Sequence, residues 1–376
     1  MGKFLSLAHC LVFLILVTAV AGAQDLPIDR QATRETVLLY RHLQTIAGRG
    51  FLFGHQDDLA YGVNWKYIPG RSDVKDVTGE YPALYGWELG RIELGQSANL
   101  DGVPFGLMKD YIREAYRRGG VITISWHLNN PLTGGTAWQP APGTVASILP
   151  GGEKHKLYVS WLDRVAAFLG DLKGPNGEPI PVILRLFHEL NGSWFWWGGK
   201  NCTPDELQRL WRFTVSYLRD EKHLHNLLYA YNTDRFLTEA AWLERYPGDE
   251  WVDIGGFDIY QAYDIIKNED YVRAFEHDLG LLEGIAKAHG KIAALTEFGY
   301  NGLPDSSWWT GVFLPTLKKY HMAYAMAWRN AGEKPGGEHE FYVPYPGQVS
   351  AADFVRFFRD PQTFFQSDAT KENLYR

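Results

Sequence analysis

Glu189 and Glu297 are the residues of this sequence whose type and surroundings point most directly to acid–base chemistry. Glu189 follows the apolar run 181–187 and precedes an aromatic segment. Glu297 follows the apolar run 291–296. Hydrolysis of a glycosidic bond requires such a pair of carboxyl groups, one protonated and one ionised. A separation of about 5–5.5 Å gives a covalent intermediate and retention, whereas about 6.5–9.5 Å leaves room for a water and gives inversion.

Short apolar runs and amphipathic helical patterns alternate along the chain. The runs are 51–54, 82–86, 121–126, 181–187, 227–231, 252–259, 291–296 and 323–328, and the helical patterns include 105–118, 155–169, 204–219 and 271–289. Continuous apolar runs are typical of parallel strands buried on both faces. Eight alternations in a chain of 376 residues predict the α/β class and a (β/α)8 TIM barrel. A doubly wound open sheet is the alternative, but no glycine-rich nucleotide loop follows the first run.

A barrel would bring the two glutamates together. Active sites of such barrels lie at the C-terminal ends of the strands. Because strands 4 and 7 face each other, Glu189 and Glu297 are expected to point at one another across the mouth. The alternative is that each glutamate is an ion-pair partner at the rim, of Arg185 or Arg329. Two such glutamates flanked by aromatic residues favour the catalytic interpretation.

The two carboxyl groups need different environments for this chemistry. Glu297 must be ionised to attack, so arginine or tyrosine donors are expected beside it. Glu189 must start protonated. We expect the indoles of Trp194, Trp196 and Trp197 to raise its pKa by desolvation, and the charge of Glu297 to add to that effect.

Segments 185–197 and 295–299 resemble the β-mannanases of glycoside hydrolase family 26. The pair His188-Glu189 is the specific part, because related retaining barrel glycosidases usually place asparagine before the acid. Further matches are 53–56, 125–131 and 327–330, so the resemblance covers the chain from about residue 30 to 366. It implies a (β/α)8 barrel, retaining hydrolysis of internal β-1,4-mannosidic bonds, Glu189 as acid/base and Glu297 as nucleophile.

The resemblance also implies a set of substrate-binding residues around the two glutamates. His127 and His188 would hydrogen-bond sugar hydroxyls, and Trp194 and Trp328 would line the subsite at the scissile bond. Tyr260 would contact the nucleophile side, and Arg329 would belong to the next subsite toward the non-reducing end. Trp138 is a further rim tryptophan. For both histidines the alternative is a structural role beneath the site.

Metal catalysis is a separate possibility that the histidines raise. His55, His127 and His188 with Asp57 or Asp58 are a conceivable ligand set. Barrel metallohydrolases usually carry His-x-His after the first strand, whereas this chain has His55-Gln56-Asp57. We therefore predict no metal and no cofactor.

Composition and the N-terminus bear on partners and location. The 37 Lys and Arg against 44 Asp and Glu give a net charge of -7, which provides no basic surface for nucleic acid. Aromatic residues make up 15% of the chain, which fits a site for sugar rings or an aromatic core. The apolar run 11–20 is too short to span a bilayer and precedes Ala21-Gly22-Ala23. We therefore predict a signal peptide at 1–23 and a single catalytic domain at 24–376.

These features together predict an exported, monomeric enzyme, periplasmic or secreted, without a membrane span. Its substrate would be a β-mannan. An exo-acting mannobiose-releasing enzyme, or a β-glycanase for mixed-linkage glucan or xylan on the same barrel, is the nearest alternative. A non-catalytic glycan-binding barrel and a metal-dependent hydrolase of acylated sugars are the others.

Overall fold

Eight parallel strands form a closed barrel in a computed structural model that describes residues 26–334 and 337–376. The strands pair in chain order, and the last pairs with the first. They are β1 (Phe51–Gln56), β2 (Leu84–Glu88), β3 (Val121–Ser125), β4 (Val182–Arg185), β5 (Leu227–Thr233), β6 (Ile254–Tyr260), β7 (Ile292–Gly299) and β8 (Tyr324–Ala327). Each of the eight predicted runs overlaps one of these strands. The predicted (β/α)8 barrel is confirmed.

Helices lie in the connections between the strands. They are α1 (Arg34–Ala47), α2 (Asp73–Thr78), α3 (Phe105–Arg117), α4 (Thr144–Ile148), α5 (His155–Gly170), α6 (Pro204–Ser216), α7 (Glu239–Leu243), α8 (Asn268–His289), α9 (Leu314–Leu317), α10 (Ala351–Phe358) and α11 (Gln366–Glu372). Two-residue strands form small hairpins at Tyr61–Gly62 with Trp65–Lys66 and at Gly332–Glu333 with His339–Glu340, and Thr363–Phe364 pairs with β1.

Local sequence explains where the long helices start and stop. Thr203 Oγ1 accepts a hydrogen bond from the backbone of Glu206, whose carboxylate accepts from the backbone of Thr203. This capping box, with Pro204 at the first position, starts α6 as the sequence predicts. The helix α8 ends at Gly290, which adopts a φ of 63°. A side chain at that residue would be strained, which is why glycine stops the helix there.

Strand register places a layer of polar side chains at the C-terminal end of the barrel. Glu88 pairs with Ser125, and Ser125 pairs with Arg185, so three consecutive strands contribute one row. On the far side a register shift before Asp258 sets that residue opposite Glu297. All five side chains are buried. The barrel therefore brings charged groups from both sides to a common layer above an apolar core.

The proposed signal peptide, residues 1–23, lies outside the described residues. Among the residues that the structure describes, no helix combines the length and apolar character needed to cross a bilayer. Trp161 and Trp211 are buried in the helical layer, where they pack as their helical spacing predicts.

Candidate active site

Three carboxylates converge at the barrel mouth. Glu189 follows β4, Asp258 lies in β6 and Glu297 lies in β7, and one oxygen from each lies within 4.8 Å of the others. Glu189 and Glu297 converge as expected, although β4 and β7 are three strands apart and not diametrically opposite. The spacing of these nearest oxygens is compatible with the shorter carboxyl separation of retaining enzymes.

Glu297 is held at both oxygens. Arg185 Nη2 donates to its Oε2 at 2.6 Å, and Tyr260 Oη donates to its Oε1. Arg185 Nη1 also donates to Asp258 Oδ2 at 2.9 Å, and the arginine is only 1% exposed. The ion pair with Arg185, which was the non-catalytic alternative for Glu297, is thus present. It lies buried inside the site, where it orients the carboxylate and stabilises its negative charge.

Glu189 has the environment of a proton donor. Burial raises the pKa of Glu189 well above its usual value, and the negative charges of Asp258 and Glu297 add to the shift. Trp194 Nε1 donates to Glu189 Oε2 at 2.6 Å, which favours the ionised form and opposes the shift. A protonated Glu189 beside a charge-paired Glu297 is the division of roles that glycosidic cleavage requires.

The indole N–H groups of the three tryptophans after Glu189 make contacts that the sequence did not predict. Trp194 was expected to desolvate the acid and to line the subsite at the scissile bond, and its indole also donates a hydrogen bond to Glu189. Trp196 and Trp197 are fully buried, and their indole N–H groups donate to the backbone oxygens of Leu128 and His188. These two side chains therefore support the wall of the site from behind.

An unusual backbone presents Glu189. Phe187 and Glu189 have φ values of 45° and 50°, a conformation that costs about 1–3 kcal/mol for a residue with a side chain. The bond from Trp197 to the His188 carbonyl and one from the Gly192 N–H to the Glu189 carbonyl hold this segment. A Cβ on Gly192 would lie 2.3 Å from the Trp194 ring, so glycine lets that indole reach Glu189.

The two predicted histidines contact each other. His127 Nε2 lies 2.9 Å from His188 Nε2, and His127 Nδ1 lies 2.8 Å from Glu88 Oε2. His127 and His188 are 6% and 2% exposed. The structure places both in the wall next to Glu189 and gives them partners within the protein, as the structural interpretation expects. Their position beside the acid also fits contact with a bound sugar.

Two of the predicted tryptophans contact His127, and the third lies beside Glu189. Trp138 is 49% exposed and stacks on His127 with ring centres 5.0 Å apart. Trp328 approaches His127 at 6.4 Å, and Trp194 is 41% exposed beside Glu189. Exposed aromatic faces beside buried carboxyl groups can stack on the apolar faces of sugars.

Arg329 is held by ion pairs to two acidic residues. Its guanidinium donates to Asp101, in the loop after β2, and to Glu340 Oε1 at 3.1 Å, in the loop after β8. Glu340 also pairs with Lys334. These ion pairs join the two loops at one end of the mouth.

The alternative ligand set of His55, His127 and His188 with Asp57 or Asp58 is not found at metal-binding spacing among residues 26–334 and 337–376. His55 Nδ1 is bonded to Asp58, and the group at metal-binding spacing in this part of the chain is the carboxylate trio. Arg185 already donates to two members of that trio and supplies positive charge there.

Sequence reasoning assigned no role to several residues that build the site. Asp258 accepts from Asn232 Nδ2 and Thr296 Oγ1 as well as from Arg185. Asn191 bonds to the backbone of residues 234 and 235 and thereby ties the loop after β4 to the loop after β5. The sequence feature that could have identified Asp258 is a charged residue within or directly after a buried strand.

We expect Trp194→Phe to move the alkaline limb of the kcat/KM profile to higher pH. The phenyl ring keeps an aromatic face but cannot donate to Glu189, so the pKa of Glu189 rises further above its usual value. Trp194→Ala should also weaken substrate binding. The pH profiles of both variants with a soluble mannooligosaccharide, the substrate class that the sequence resemblance implies, provide the test.

The matched control is Trp138→Phe, which alters an exposed rim indole that is not bonded to Glu189. Its alkaline limb should stay at the wild-type position. An unshifted limb in Trp194→Phe, or equal shifts in both variants, would show that the indole hydrogen bond does not set the titration of the acid.

A family model described as glycosyl hydrolase family 26 matches residues 28–304. The mannan endo-1,4-beta-mannosidase of Bifidobacterium adolescentis is 34% identical in an alignment of 368 positions that covers 92% of this chain and 36% of that relative. This chain therefore spans little more than a third of that relative's length. A mannan endo-1,4-beta-mannosidase of Bacillus subtilis is 28% identical over 276 residues, covering 68% of this chain and 73% of the relative.

The fold and the carboxylate pair define a glycoside hydrolase of the barrel type. A GH26 beta-mannanase from Bacteroides ovatus superposes with a TM-score of 0.87 at 46% identity, covering 92% of this chain and 98% of that structure. A modular endo-beta-1,4-mannanase from Cellulomonas fimi gives a TM-score of 0.81 at 35% identity, with coverages of 91% and 78%. The chain belongs to glycosyl hydrolase family 26, as the sequence motifs indicated.

Proposed function

We propose that this protein is an endo-acting β-1,4-mannanase that hydrolyses internal bonds of mannan, galactomannan or glucomannan with retention of configuration. The observation that carries the proposal is the close approach of Glu189 and Glu297, whose carboxylate oxygens lie within 4.8 Å. The names of the family relatives support the substrate. Mixed-linkage glucan, xylan and exo-action remain outcomes of the test below.

In the first step, protonated Glu189 donates its proton to the glycosidic oxygen while a Glu297 oxygen attacks the anomeric carbon. The bond between the anomeric carbon and the leaving oxygen breaks, and a glycosyl ester forms on Glu297. Arg185 and Tyr260 orient the attacking carboxylate. The leaving sugar takes the proton and departs as an alcohol.

In the second step, water replaces the ester. Esterification removes the negative charge of Glu297, which is one of the causes of the raised pKa of Glu189. The pKa of Glu189 therefore falls, and the ionised Glu189 accepts a proton from the incoming water. The water oxygen bonds to the anomeric carbon, and Glu297 leaves as a carboxylate. Two inversions give net retention.

We further propose that residues 1–23 direct export and that the mature enzyme begins at Gln24 and acts as a monomer. The apolar run and the small residues before Gln24 support export. Mass spectrometry of the N-terminus of protein recovered from the natural host, with light scattering of the same sample, tests both statements.

The test of the activity is a timed product profile with residues 24–376. Unbranched β-1,4-mannan, mixed-linkage glucan, cellulose and xylan are incubated with the enzyme, with and without a chelator. We expect a ladder of oligosaccharides from mannan alone, unchanged by the chelator. Early release of mannobiose alone would establish exo-action, activity on xylan or glucan only would overturn the substrate, and loss of activity with chelator would overturn the metal-free mechanism.

Product stereochemistry is measured separately by ¹H NMR at early times. Retention predicts that the β-anomer of the new reducing end appears before mutarotation. Initial formation of the α-anomer would contradict the proposed glycosyl ester on Glu297.

A further inference from the structure

Glu88, at the end of β2, is a buried carboxylate outside the catalytic trio with four hydrogen-bond donors around it. Its Oε1 accepts from the backbone N–H groups of Gly90 and His127. Its Oε2 accepts from Ser125 Oγ at 2.8 Å and lies 2.8 Å from His127 Nδ1. Burial acts to raise the pKa of Glu88, but His127 and these hydrogen bonds outweigh it and hold the pKa below its usual value. Glu88 is therefore an anion that only accepts hydrogen bonds.

Counting the protons shared along Glu88, His127 and His188 relates the protonated nitrogens of the two histidine rings. Because Glu88 only accepts, His127 Nδ1 must carry a proton. The contact between His127 Nε2 and His188 Nε2, at 2.9 Å, holds one proton. A His127 ring that carries its only proton on Nδ1 has an acceptor at Nε2, and the shared proton is then on His188. Burial lowers the pKa of His188 well below its usual value, so His188 is neutral and its Nδ1 carries no proton.

We propose that Glu88 is a positioning residue that sets the tautomers of both histidines, with His127 protonated at Nδ1 and His188 at Nε2. The hydrogen-bonding polarity of the wall beside Glu189 follows from this choice. His188 Nδ1 is buried and has no hydrogen-bond partner among the described residues, so it is left as an acceptor. A carboxylate on β2 thereby determines which hydrogen-bonding groups the ends of β3 and β4 contribute.

Glu88→Gln is a nearly isosteric substitution that is expected to change the tautomers of both histidines in a defined way. The new amide NH2 cannot take the Oε1 place, where two backbone donors face it. It must take the Oε2 place, because the Ser125 hydroxyl can rotate and the His127 ring can move its proton. The amide then donates to His127 Nδ1, and His127 Nε2–H donates to His188. Both histidines therefore switch tautomer in the variant.

Histidine ring ¹⁵N NMR reads the tautomers directly, with resonances assigned by loss of signal in His127→Gln and His188→Gln. Wild type should show protonated Nδ1 in His127 and protonated Nε2 in His188, and Glu88→Gln should show the reverse. Wild-type spectra alone test the proposal if the variant does not fold. A cationic His127, or His188 protonated at Nδ1 in wild type, would overturn it.

Glu93→Gln is the matched control. Glu93 is an equally buried carboxylate in the loop after β2, and it accepts from Trp126 Nε1 and the backbone of Asn129 instead of a histidine ring. The control should leave both tautomers as in wild type. A switch in both variants would show that the rings respond to general loss of packing.

The activity readout rests on the proposed function. We expect Glu88→Gln to lower kcat/KM roughly 10- to 100-fold, as when a carboxylate that orients a functional histidine is lost. The loss should be similar for mannan and an activated aryl mannoside, because both place a mannose beside this wall. A switch of tautomers with unchanged kcat/KM would refute the functional part. An inactive wild type with the expected spectra would refute the proposed substrate alone.

Discussion

Glu297→Ala is expected to lower mannan hydrolysis by roughly 10⁴-fold or more, because the variant has no group to form the glycosyl ester. Added azide should restore turnover of an activated aryl β-mannoside by entering the space that the carboxylate leaves. The azide nitrogen bonds to the anomeric carbon as the phenolate departs. It attacks the face that Glu297 occupies, so the product is the α-mannosyl azide. Rates and ¹H NMR of that product are the measurements.

Folding of this variant has to be measured because Glu297 is a buried partner of Arg185. Removal of one member of a buried ion pair typically costs about 3–5 kcal/mol, although Arg185 keeps its bond to Asp258. The control is Asp253→Asn, a buried carboxylate at the N-terminal end of β6 that accepts from the backbone of Tyr229 and Ile28. It should lose stability and keep activity. Wild-type rates in Glu297→Ala, or a β-mannosyl azide, would refute Glu297 as the nucleophile.

The barrel is readable from the sequence because strands buried on both faces leave continuous apolar runs. The predicted strand boundaries are wrong at the strand ends, where side chains become polar while backbone pairing continues. Thus β2 extends to Glu88 and β6 to Tyr260, each beyond the predicted run. The predicted run 181–187 is longer than β4, because the backbone turns left-handed at Phe187. No apolar pattern encodes that turn.

The convergence of the two glutamates is predictable because the ends of β4 and β7, three strands apart, border the same barrel mouth. The contacts around them are less accessible to sequence reasoning. The pairing of Asp258 with Glu297 depends on a register shift in β6, and the reach of Arg185 to both depends on its rotamer. Glu88 was visible as a carboxylate at a strand end, yet only the hydrogen-bond network shows that it contacts His127.

Glu189→Ala is expected to divide substrates by leaving group. Mannan has a poor alkoxide leaving group that needs protonation, so its hydrolysis should fall roughly 10²- to 10⁴-fold. A dinitrophenyl β-mannoside has a stable phenolate leaving group and needs no acid for the first step. It should release phenolate at a rate near that of wild type. The second step lacks its base, so a burst equal to the enzyme concentration followed by slow turnover is the expected time course.

The role of Glu189 as the acid also predicts how kcat/KM changes with pH. Burial and the charges of Asp258 and Glu297 raise the pKa of Glu189, so wild-type kcat/KM should be high below that pKa and fall as pH rises through it. The residual mannan hydrolysis of Glu189→Ala should lose this alkaline limb, whereas the dinitrophenyl substrate needs no acid and should show none in its first step. Azide should accelerate its second step and give β-mannosyl azide, because the nucleophile enters from the side of Glu189. Equal losses on mannan and the aryl substrate, with the limb preserved, would mean that another group protonates the leaving oxygen.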